Sequence, residues 1–362
     1  MLNEFLDTIL TINYVKISIP FFLLAVVVEA WISWKKGREL YRLNDSISSL
    51  TCGIFQQFFL LFMKSFFLLA YGYIQTQHGV LNFSGISPGE KLVSALGLFL
   101  AVDCCYYWFH RMAHEINFGW ATHIVHHSSE EYNLSTALRQ GMLQETFSFV
   151  FYLPLALIGF PPLWFLALSS LNTTYQFWVH TRLLGRFHPY FEFVFNTPSH
   201  HRVHHGRNPK YLDKNYAGTL IIWDRLFGTF QKEEEEPIYG VTVPLNSWNP
   251  LRTQFHYFAD LLADTWRAPY VFDKFKVWWA RPGFRPRGLE SVVKHICEKK
   301  FDPPISANEK RWAQNLFLMG LFLAILVLLL KDLSWTKSIL VVLVVGLLTY
   351  VGKLLETKTP ET

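Results

Sequence analysis

Histidine is the residue type in this chain best suited to chemistry, and most of its fourteen copies fall in three short motifs. HRMAH contains His110 and His114, HIVHH contains His123, His126 and His127, and SHHRVHH contains His200, His201, His204 and His205. Spacings of three and four residues bring side chains to one face of a helix. Each motif therefore predicts a row of imidazoles along a single helix, and Thr197 with Pro198 predicts the start of the third helix.

This clustering predicts bound metal. Imidazole is the commonest metal ligand among side chains that titrate near neutral pH, and one metal ion needs about three or four protein ligands. His180, which ends the stretch YQFWVHT, is predicted to join the three motifs, so eight or nine ligands indicate two ions. Imidazole suits zinc, copper, iron and nickel, which leaves the metal open. A two-metal site made of imidazoles with few carboxylates, located at the ends of membrane helices, favours redox iron that acts on a lipid.

Motifs of hydrolytic enzymes are missing from the sequence. HEINF begins like the HExxH motif of zinc peptidases, but Phe118 occupies the position of the second histidine. Neither a GxSxG elbow nor a Walker loop is convincing. No nucleophilic side chain is therefore predicted.

Several polar residues near the histidines are candidates for supporting roles. Glu115 directly follows His114, and either a contact with a ligand or a plain surface acid fits it equally well. Asp103 lies two turns before His110 in an apolar segment, where an acid is a functional candidate unless it pairs with Arg111 or another polar group. Glu130 and Glu131 are predicted either to contact metal ligands or to lie in a solvated loop.

Other polar side chains receive weaker predictions. Arg139 and Gln140 are predicted either to bind a polar headgroup, to bind a pterin or to cap a helix. Asp224 and Arg225 fit an ion pair, and the run Glu233 to Glu236 fits a solvated loop.

The elements that position these residues are predicted to be membrane helices. The chain is 51% hydrophobic and 17% charged, and its mean hydropathy is +0.18. Five apolar segments approach the roughly 20 residues needed to cross hydrocarbon. They are residues 17–34, 52–73, 92–109, 315–330 and 338–352. Two more, 147–160 and 161–179, are split by Pro161 and Pro162 and predict a helical hairpin that spans or re-enters.

Charge predicts the orientation of these spans. Lys35, Lys36, Arg38 and Arg42 follow the first span, which we expect to be an anchor, whereas residues 75–89 contain no Lys or Arg. The histidine motifs are therefore predicted to face the cytosol.

The net charge of +5 is spread along the spans, which excludes nucleic acid as the expected partner. Cys52, Cys104 and Cys105 lie in apolar segments and Cys297 stands alone, so no disulfide framework is expected.

The motif order HxxxH, HxxHH, lone His, HxxHH resembles the fatty acid hydroxylase and sterol desaturase superfamily of membrane di-iron oxygenases. More narrowly, YYWFHRMAHEINFGWATHIVHHSSEEYNLSTALRQ and NTPSHHRVHHGRNPKYLDKNYAGTLIIWDRLFGTF resemble the alkylglycerol monooxygenases, which use tetrahydrobiopterin to cleave ether lipids. The likeness covers roughly residues 20 to 285. Four regions are predicted: an anchor (1–90), a catalytic domain (91–235), a cytosolic segment (236–311) and C-terminal spans (312–362).

The resemblance implies an all-α, polytopic membrane protein with a histidine-rich cytosolic di-metal cap. It implies two irons, O2, tetrahydrobiopterin and a lipid substrate, in the endoplasmic reticulum of a eukaryote or the inner membrane of a bacterium. It also implies a functional Glu115 and places His200 beside the ligands rather than among them. The implied ligands are His110, His114, His123, His126, His127, His180, His201, His204 and His205. The alternatives are a sterol or fatty acyl hydroxylase or desaturase, and a histidine-rich metal transporter.

Overall fold

The computed structural model describes residues 2–290, 299–330 and 335–356, and its regular secondary structure within these ranges is α-helical. A single antiparallel bridge joins Phe195 to Leu220. The prediction of an all-α chain is therefore confirmed. Cys297 lies outside the described residues. The helices are α1 (Leu2–Ile9), α2 (Tyr14–Lys35), α3 (Leu43–His78), α4 (Pro88–Glu115), α5 (Asn117–His127), α6 (Leu134–Ala137), α7 (Gln144–Ile158), α8 (Pro162–Phe177), α9 (Pro189–Val194), α10 (Pro198–His205), α11 (Ile222–Leu226), α12 (Pro250–Arg267), α13 (Val271–Trp279), α14 (Ala307–Leu329) and α15 (Trp335–Leu354).

Five of these helices, α2, α3, α4, α14 and α15, are long and apolar enough to cross a bilayer. They coincide with the five predicted spans, and many of their large apolar side chains are exposed, as a lipid-facing surface requires. The predicted hairpin is also present, because α7 and α8 are separated by a short turn at Gly159 to Pro161. The chain is an integral membrane protein.

The residues divide into two compact units. The first unit contains residues 1–38, 63–112 and 145–237, and the second contains residues 39–62, 113–144 and 238–362. Helices α3 and α4 each run without a break from one unit into the other.

The first unit packs its membrane helices around an aromatic core. Its buried cluster includes Tyr71, Leu98, Val102 and Trp164. Helix α2 packs on α8, where Phe22 stacks on Phe177 with ring centroids 4.0 Å apart. This core contains the N-terminal parts of α4 and α8. The C-terminal ends of the two helices lead to His110 and His180.

The second unit is built on the hairpin of α14 and α15. Helix α14 begins with a capping box between Ser306 and Glu309, and the two helices approach closely at Gly320, where a Cβ atom would lie 2.7 Å from Leu348. Phe55 and Phe58 of α3 complete this core. The same unit contains α5, which α12 and α13 cover on one side.

Candidate metal centre

Three histidines of the first unit form a compact buried group. His180 follows α8, while His201 and His205 lie one turn apart on α10, which begins at Thr197 and Pro198 as predicted. One ligand nitrogen from each of the three lies within 4.8 Å of the others. The Nε2 atoms of His180 and His201 are 3.0 Å apart. The lone histidine and the third motif therefore meet as expected.

Three histidines of the second unit form a matching group. His114 lies in the last turn of α4, and His123 and His127 lie one turn apart on α5. Their ligand nitrogens also lie within 4.8 Å of one another, and the Nε2 atoms of His123 and His127 are 3.2 Å apart. The prediction that HRMAH and HIVHH are helical is confirmed.

The three remaining predicted ligands are equally buried. In the first unit His110 and His204 face each other with ring centroids 4.3 Å apart. In the second unit the ring centroid of His126 lies 5.3 Å from that of His123. All nine predicted ligands are at most 8% exposed. Water therefore does not solvate these polar rings.

Hydrogen bonds fix the orientation of five rings. Each Nδ1 faces an oxygen acceptor at 2.7 to 2.9 Å, so Nδ1 carries the proton and donates it, while Nε2 keeps its lone pair. Four acceptors are backbone carbonyls, and the fifth is the Oε1 atom of Gln144. The pairs are His110 with Tyr216, His123 with Gln144, His126 with Arg139, His180 with Gln176 and His204 with Lys214.

Burial also keeps two of these rings neutral. It lowers the pKa of His123 to about 4, although the hydrogen bond to Gln144 opposes the shift. Burial likewise lowers the pKa of His180 to about 4, although its hydrogen bonds to the backbone of Gln176 and Phe177 oppose the shift. A neutral ring is the form that binds metal, so both are ready to bind at neutral pH.

The donor set fits transition-metal ions. Two nitrogens bound about 2.0–2.1 Å from one metal, at tetrahedral or octahedral angles, lie roughly 3 Å apart. The Nε2 separations of 3.0 and 3.2 Å match that value. The buried histidines therefore form a donor set that suits a transition-metal site.

A buried acid on α4 organises the loop that supports His110. Asp103 accepts hydrogen bonds from the backbone N–H groups of Thr219 and Leu220, from the indole of Trp223 and from the amide of Asn172. Asp103 does not pair with Arg111 through these bonds. Its contacts fix residues 216–223, which include the carbonyl that orients His110.

Two glycines allow close backbone approaches beside the histidines. A Cβ atom at Gly218 would lie 2.9 Å from Asp103 Oδ1, and one at Gly141 would lie 1.9 Å from the carbonyl oxygen of Thr122 on α5. At Gly141 only glycine fits without movement of the backbone, and at Gly218 a Cβ atom would displace the side chains of Asp103 and its neighbours. YAGTL and ALRQG are thus shaped to pack on the helices that carry histidines.

Asp224 and Arg225 do not form the predicted ion pair with each other. Asp224 accepts hydrogen bonds from the backbone of Tyr216 and Ala217 and from the hydroxyl of Thr229. Burial raises the pKa of Asp224 to about 6 in spite of these bonds. The Arg225 guanidinium donates to backbone carbonyls of Glu192 and Phe193 instead. Asp224 therefore shapes the same loop as Asp103.

The glutamate run is only partly solvated, which corrects the sequence prediction. Glu233 accepts two hydrogen bonds of 2.7 Å from the guanidinium of Arg202, the second residue of HRVHH. Arg202 also donates to the carbonyls of Thr181 and Leu184. The bidentate pair ties the buried Arg202 of α10 to the glutamate run, while the bonds to Thr181 and Leu184 tie α10 to the segment that follows His180.

Arg139 has a structural role in the second unit. It is 1% exposed and donates to the carbonyl of Val125 and to the hydroxyls of Ser128 and Ser48. Gln140 donates to Ala137 and accepts from Gln254 through its backbone. Neither side chain is placed to meet a headgroup through these contacts.

The other predicted supporting residues contact groups outside the two three-histidine groups. Glu115 forms an ion pair of 3.3 Å with Arg281. Glu130 and Glu131 bind Arg42, and Glu131 also binds Lys300. The ring of His200 lies 5.5 Å from that of Phe230, and burial lowers its pKa to about 4. Their roles in function remain predictions.

Three residues of the site were missed from the sequence. Gln144 orients His123, and Glu29, a buried acid of α2, accepts a hydrogen bond from Thr181, the neighbour of His180. Asn215 adopts a left-handed backbone with φ of 55° and binds the carbonyls of His200 and Gln231. An acid inside an apolar segment could have signalled Glu29; single amides such as Gln144 carry no signal.

Comparison with known proteins places these motifs in a family. Residues 95–229 match the fatty acid hydroxylase family model. The chain is 43% identical over 304 residues to alkylglycerol monooxygenase of Homo sapiens, covering 83% of this chain and 66% of that protein. It is 41% identical over 314 residues to the Xenopus tropicalis protein of the same name, covering 85% and 69%.

A more distant relative has another substrate in its name. The chain is 32% identical over 136 residues to ornithine lipid hydroxylase OlsE of Rhizobium tropici, covering 37% of this chain and 40% of that protein. No solved structure matches the chain. The chain spans about two thirds of the length of the human and frog relatives.

Proposed function

The chain belongs to the alkylglycerol monooxygenase family, and on that premise we propose that it is a membrane di-iron monooxygenase that cleaves the ether bond of alkylglycerols. The observation that carries the proposal is a buried three-histidine group in each unit, within which two Nε2 atoms lie 3.0 Å or 3.2 Å apart. Hydrolytic motifs are missing from the sequence, which agrees with an oxidative reaction.

We propose the following ligand assignment. His180, His201 and His205 bind one iron, His114, His123 and His127 bind the other, and His110, His126 and His204 complete the coordination. Its support is the burial of all nine rings. In five of them the Nδ1 atom donates a hydrogen bond, so the Nε2 lone pair is left for metal. The bound irons would supply reductive activation of O2, with electrons from tetrahydrobiopterin.

The proposed reaction is hydroxylation of the alkyl carbon next to the ether oxygen. This C–H bond is comparatively weak because the oxygen lone pair stabilises the adjacent radical. One oxygen atom of O2 enters the substrate, and the other leaves as water with two electrons and two protons from the pterin. The product is a hemiacetal, which breaks its C–O bond to give a fatty aldehyde and a glycerol derivative.

The chain's own residues would bind and orient rather than react covalently. Asp103 and Asp224 hold the loop that carries the acceptor of His110, and Arg202 with Glu233 holds α10. We also propose that Glu115 has a functional role, with its Arg281 pair fixing the end of α4 next to His114. His200, Glu130 and Glu131 are proposed to support neighbouring segments.

Turnover by the purified full chain tests this function. Reconstituted protein is incubated with a 1-O-alkylglycerol, O2 and reduced tetrahydrobiopterin, and fatty aldehyde is measured by mass spectrometry. The proposal is supported by aldehyde that requires O2 and pterin. It is also supported by 18O from 18O2 in the carbonyl oxygen of that aldehyde, measured before exchange with water. Iron-loaded protein that consumes no O2 with the ether lipid refutes it.

Parallel substrates separate the alternatives. Sterol, fatty acyl and ornithine lipid substrates are tested beside the alkylglycerol, the last because of the name of the distant relative. Product from one of these and none from the ether lipid would preserve the oxygenase but change its substrate. Metal flux across sealed vesicles without O2 consumption would indicate the transporter instead.

The active site is proposed to face the cytosol. Support comes from the four basic residues after the first span and from a loop at residues 75–89 without Lys or Arg. The lipid substrate would then be reached from the cytosolic leaflet.

A further inference from the structure

Helices α12 and α13 expose a continuous apolar surface that the proposed reaction does not explain. On α12 the exposed side chains include Leu251, Phe255, Leu262 and Trp266, whose spacings of four and seven residues place them along one stripe. On α13 the exposed side chains include Val271, Phe275 and Trp279, again four residues apart. Trp266 is 85% exposed and Phe275 is 70% exposed. A stripe of this size is not expected to face water.

The opposite side of these helices is packed in the core of the second unit. Leu261 and Val277 are buried against Ala121 of α5. Asn117, the first residue of α5, accepts a hydrogen bond from the Tyr257 hydroxyl at 2.7 Å and donates its amide to the carbonyl of Val277. Both helices are therefore amphipathic, with one apolar side covered by α5 and another left uncovered by the described residues.

The two helices cannot cross a bilayer. Helix α12 carries Arg252, Asp260, Asp264 and Arg267, and α13 has nine residues, which reach only about 13 Å against the roughly 30 Å of hydrocarbon. Helices with an apolar face and a charged remainder lie in the plane of the membrane interface.

Contacts with two membrane spans place the helices at the level of the interface. At the end of span α15, Glu356 accepts the backbone N–H of Asn249, and a Cβ atom at Gly352 would lie 2.5 Å from the carbonyl oxygen of Trp248. Helix α12 begins at the next residue, Pro250. At the end of span α4, Glu115 pairs with Arg281, just after α13. The helices are thus attached where two spans leave the bilayer.

The charge of this segment indicates the kind of lipid. Residues 250–288 contain seven Lys and Arg against three Asp and no Glu. Exposed Arg267 and Lys276 flank the aromatic stripe, and exposed Trp266, Tyr270 and Trp279 are residue types enriched at membrane interfaces. A basic rim around aromatic side chains complements anionic headgroups.

We propose that α12 and α13 form a membrane-interface surface that inserts its aromatic stripe among acyl chains and binds anionic phospholipid headgroups. Its attachment to Asn117 makes this surface the lipid-facing support of the helix that carries His123, His126 and His127. The occupant is the bilayer in which the protein resides, so no soluble partner is needed.

Photocrosslinking of the full chain tests the position of the surface. Benzoylphenylalanine replaces Phe275 or Trp266, and the protein is reconstituted in vesicles of equal phosphatidylcholine and phosphatidylglycerol, irradiated and analysed by mass spectrometry. Phospholipid adducts are expected at both positions. The control is the same replacement at Lys232, an exposed residue beside the glutamate run, which should give no lipid adduct.

Adduct yields at Phe275 and Trp266 no higher than at Lys232 would overturn the proposal, because the stripe would then face water. Crosslinks between two protein chains in place of lipid adducts would also overturn it and identify the stripe as an interface between copies.

The preference for anionic lipid has its own test. The phosphatidylglycerol adduct is expected to exceed the phosphatidylcholine adduct, and combining Arg267→Gln with Lys276→Gln should lower that ratio at least fivefold, since each basic residue near an anionic surface changes affinity by about fivefold. Lys232→Gln should leave the ratio unchanged. Equal adducts of the two lipids in the unsubstituted chain would refute anionic binding.

Discussion

The histidines proposed as metal ligands and their buried neighbours should respond differently to substitution. His204→Ala is expected to lower bound metal and abolish ether-lipid turnover, because its Nε2 is held away from Lys214 by the Nδ1 hydrogen bond. His200→Ala is the matched control, since His200 is on the same helix and equally buried but packs on Phe230. Metal analysis and turnover are measured together. Loss of metal in the His200 variant with retention in the His204 variant would reverse the ligand assignment.

The orientation of His123 depends on a single side chain, so it can be tested by substitution. Gln144→Leu removes the acceptor for Nδ1 and is expected to weaken metal binding about 10–100-fold, as loss of such partners does in other metal sites. Lys214→Ala is the control, because His204 uses the backbone carbonyl of that residue. Titration with Fe(II) under anaerobic conditions measures the affinity. Equal affinities of the two variants would show that Gln144 does not orient a ligand.

Protonation of buried rings predicts the pH dependence of the metal-free protein. His123 and His180 titrate near pH 4 when folded and near 6.5 when unfolded, so the folded state binds fewer protons between these values. Stability should be full above about pH 6.5 and fall as pH drops toward 4, by up to roughly 3 kcal/mol per ring. Thermal unfolding from pH 7.5 to 4.5 measures this. A midpoint that does not fall over that range would contradict the shifts.

Sequence predicted the clustering of the histidines better than it predicted the partners of their rings. His201 and His205 are four positions apart, so helical geometry alone brings them together, and the same holds for His123 and His127. The acceptors of the Nδ1 atoms come from elsewhere in the chain: Tyr216 lies 106 positions from His110. Such contacts depend on tertiary packing, which local spacing does not encode. Glu233 was predicted to be solvated for the same reason, because its partner Arg202 lies 31 positions away.

Among the helices, α4 supports the metal centre through Asp103. Asp103→Leu would leave the N–H groups of Thr219 and Leu220 without their acceptor, at a cost of roughly 1–3 kcal/mol each. We expect faster amide hydrogen exchange in residues 216–224 and lower metal occupancy. The control is Glu90→Gln, an exposed acid in the first turn of the same helix. Unchanged exchange in the Asp103 variant would show that the loop is held by other contacts.

Helix α5 requires a close approach by the segment that follows α6. Gly141→Ala would place a methyl group 1.9 Å from the carbonyl oxygen of Thr122, so the backbone must move and the protein should lose stability and metal. Gly97→Ala on α4 is the matched control, because its Cβ meets nothing within 4 Å and alanine favours a helix by about 1 kcal/mol. Thermal unfolding of both variants decides. Equal stability of the two would mean that the approach is not tight.

Membrane topology is a property of the whole molecule, and the structure shows which glycosylation motif can report it. Asn82 and Asn133 both lie in glycosylation motifs, but Asn133 is buried and bonded to Leu40 and Ser135, so it cannot report orientation in the folded chain. Asn82 is in an exposed turn. Expression in a eukaryotic host should add glycan at Asn82, detected as a shift removed by Asn82→Gln. Modification of Lys35 or Lys36 by an impermeant reagent from the luminal side would contradict the predicted orientation.

The five spans were predicted at their observed places because hydrophobic length is a strong signal, whereas the amphipathic pair α12 and α13 was described only as a cytosolic segment. Its pattern mixes charged and aromatic residues, and its role becomes visible only when one apolar side is seen to pack on α5. Fold class was thus accessible from composition, while the use of each helix face required the tertiary structure.

Metal content coupled to turnover tests the central claim most directly. The purified full chain is loaded with iron, and bound iron per chain is measured with aldehyde production from an alkylglycerol, O2 and reduced tetrahydrobiopterin. The account predicts two irons per chain and pterin-dependent aldehyde, with both lost together in His204→Ala and retained in His200→Ala. Turnover by protein without transition metal, or binding of two irons that are unaffected by His204→Ala, would contradict it.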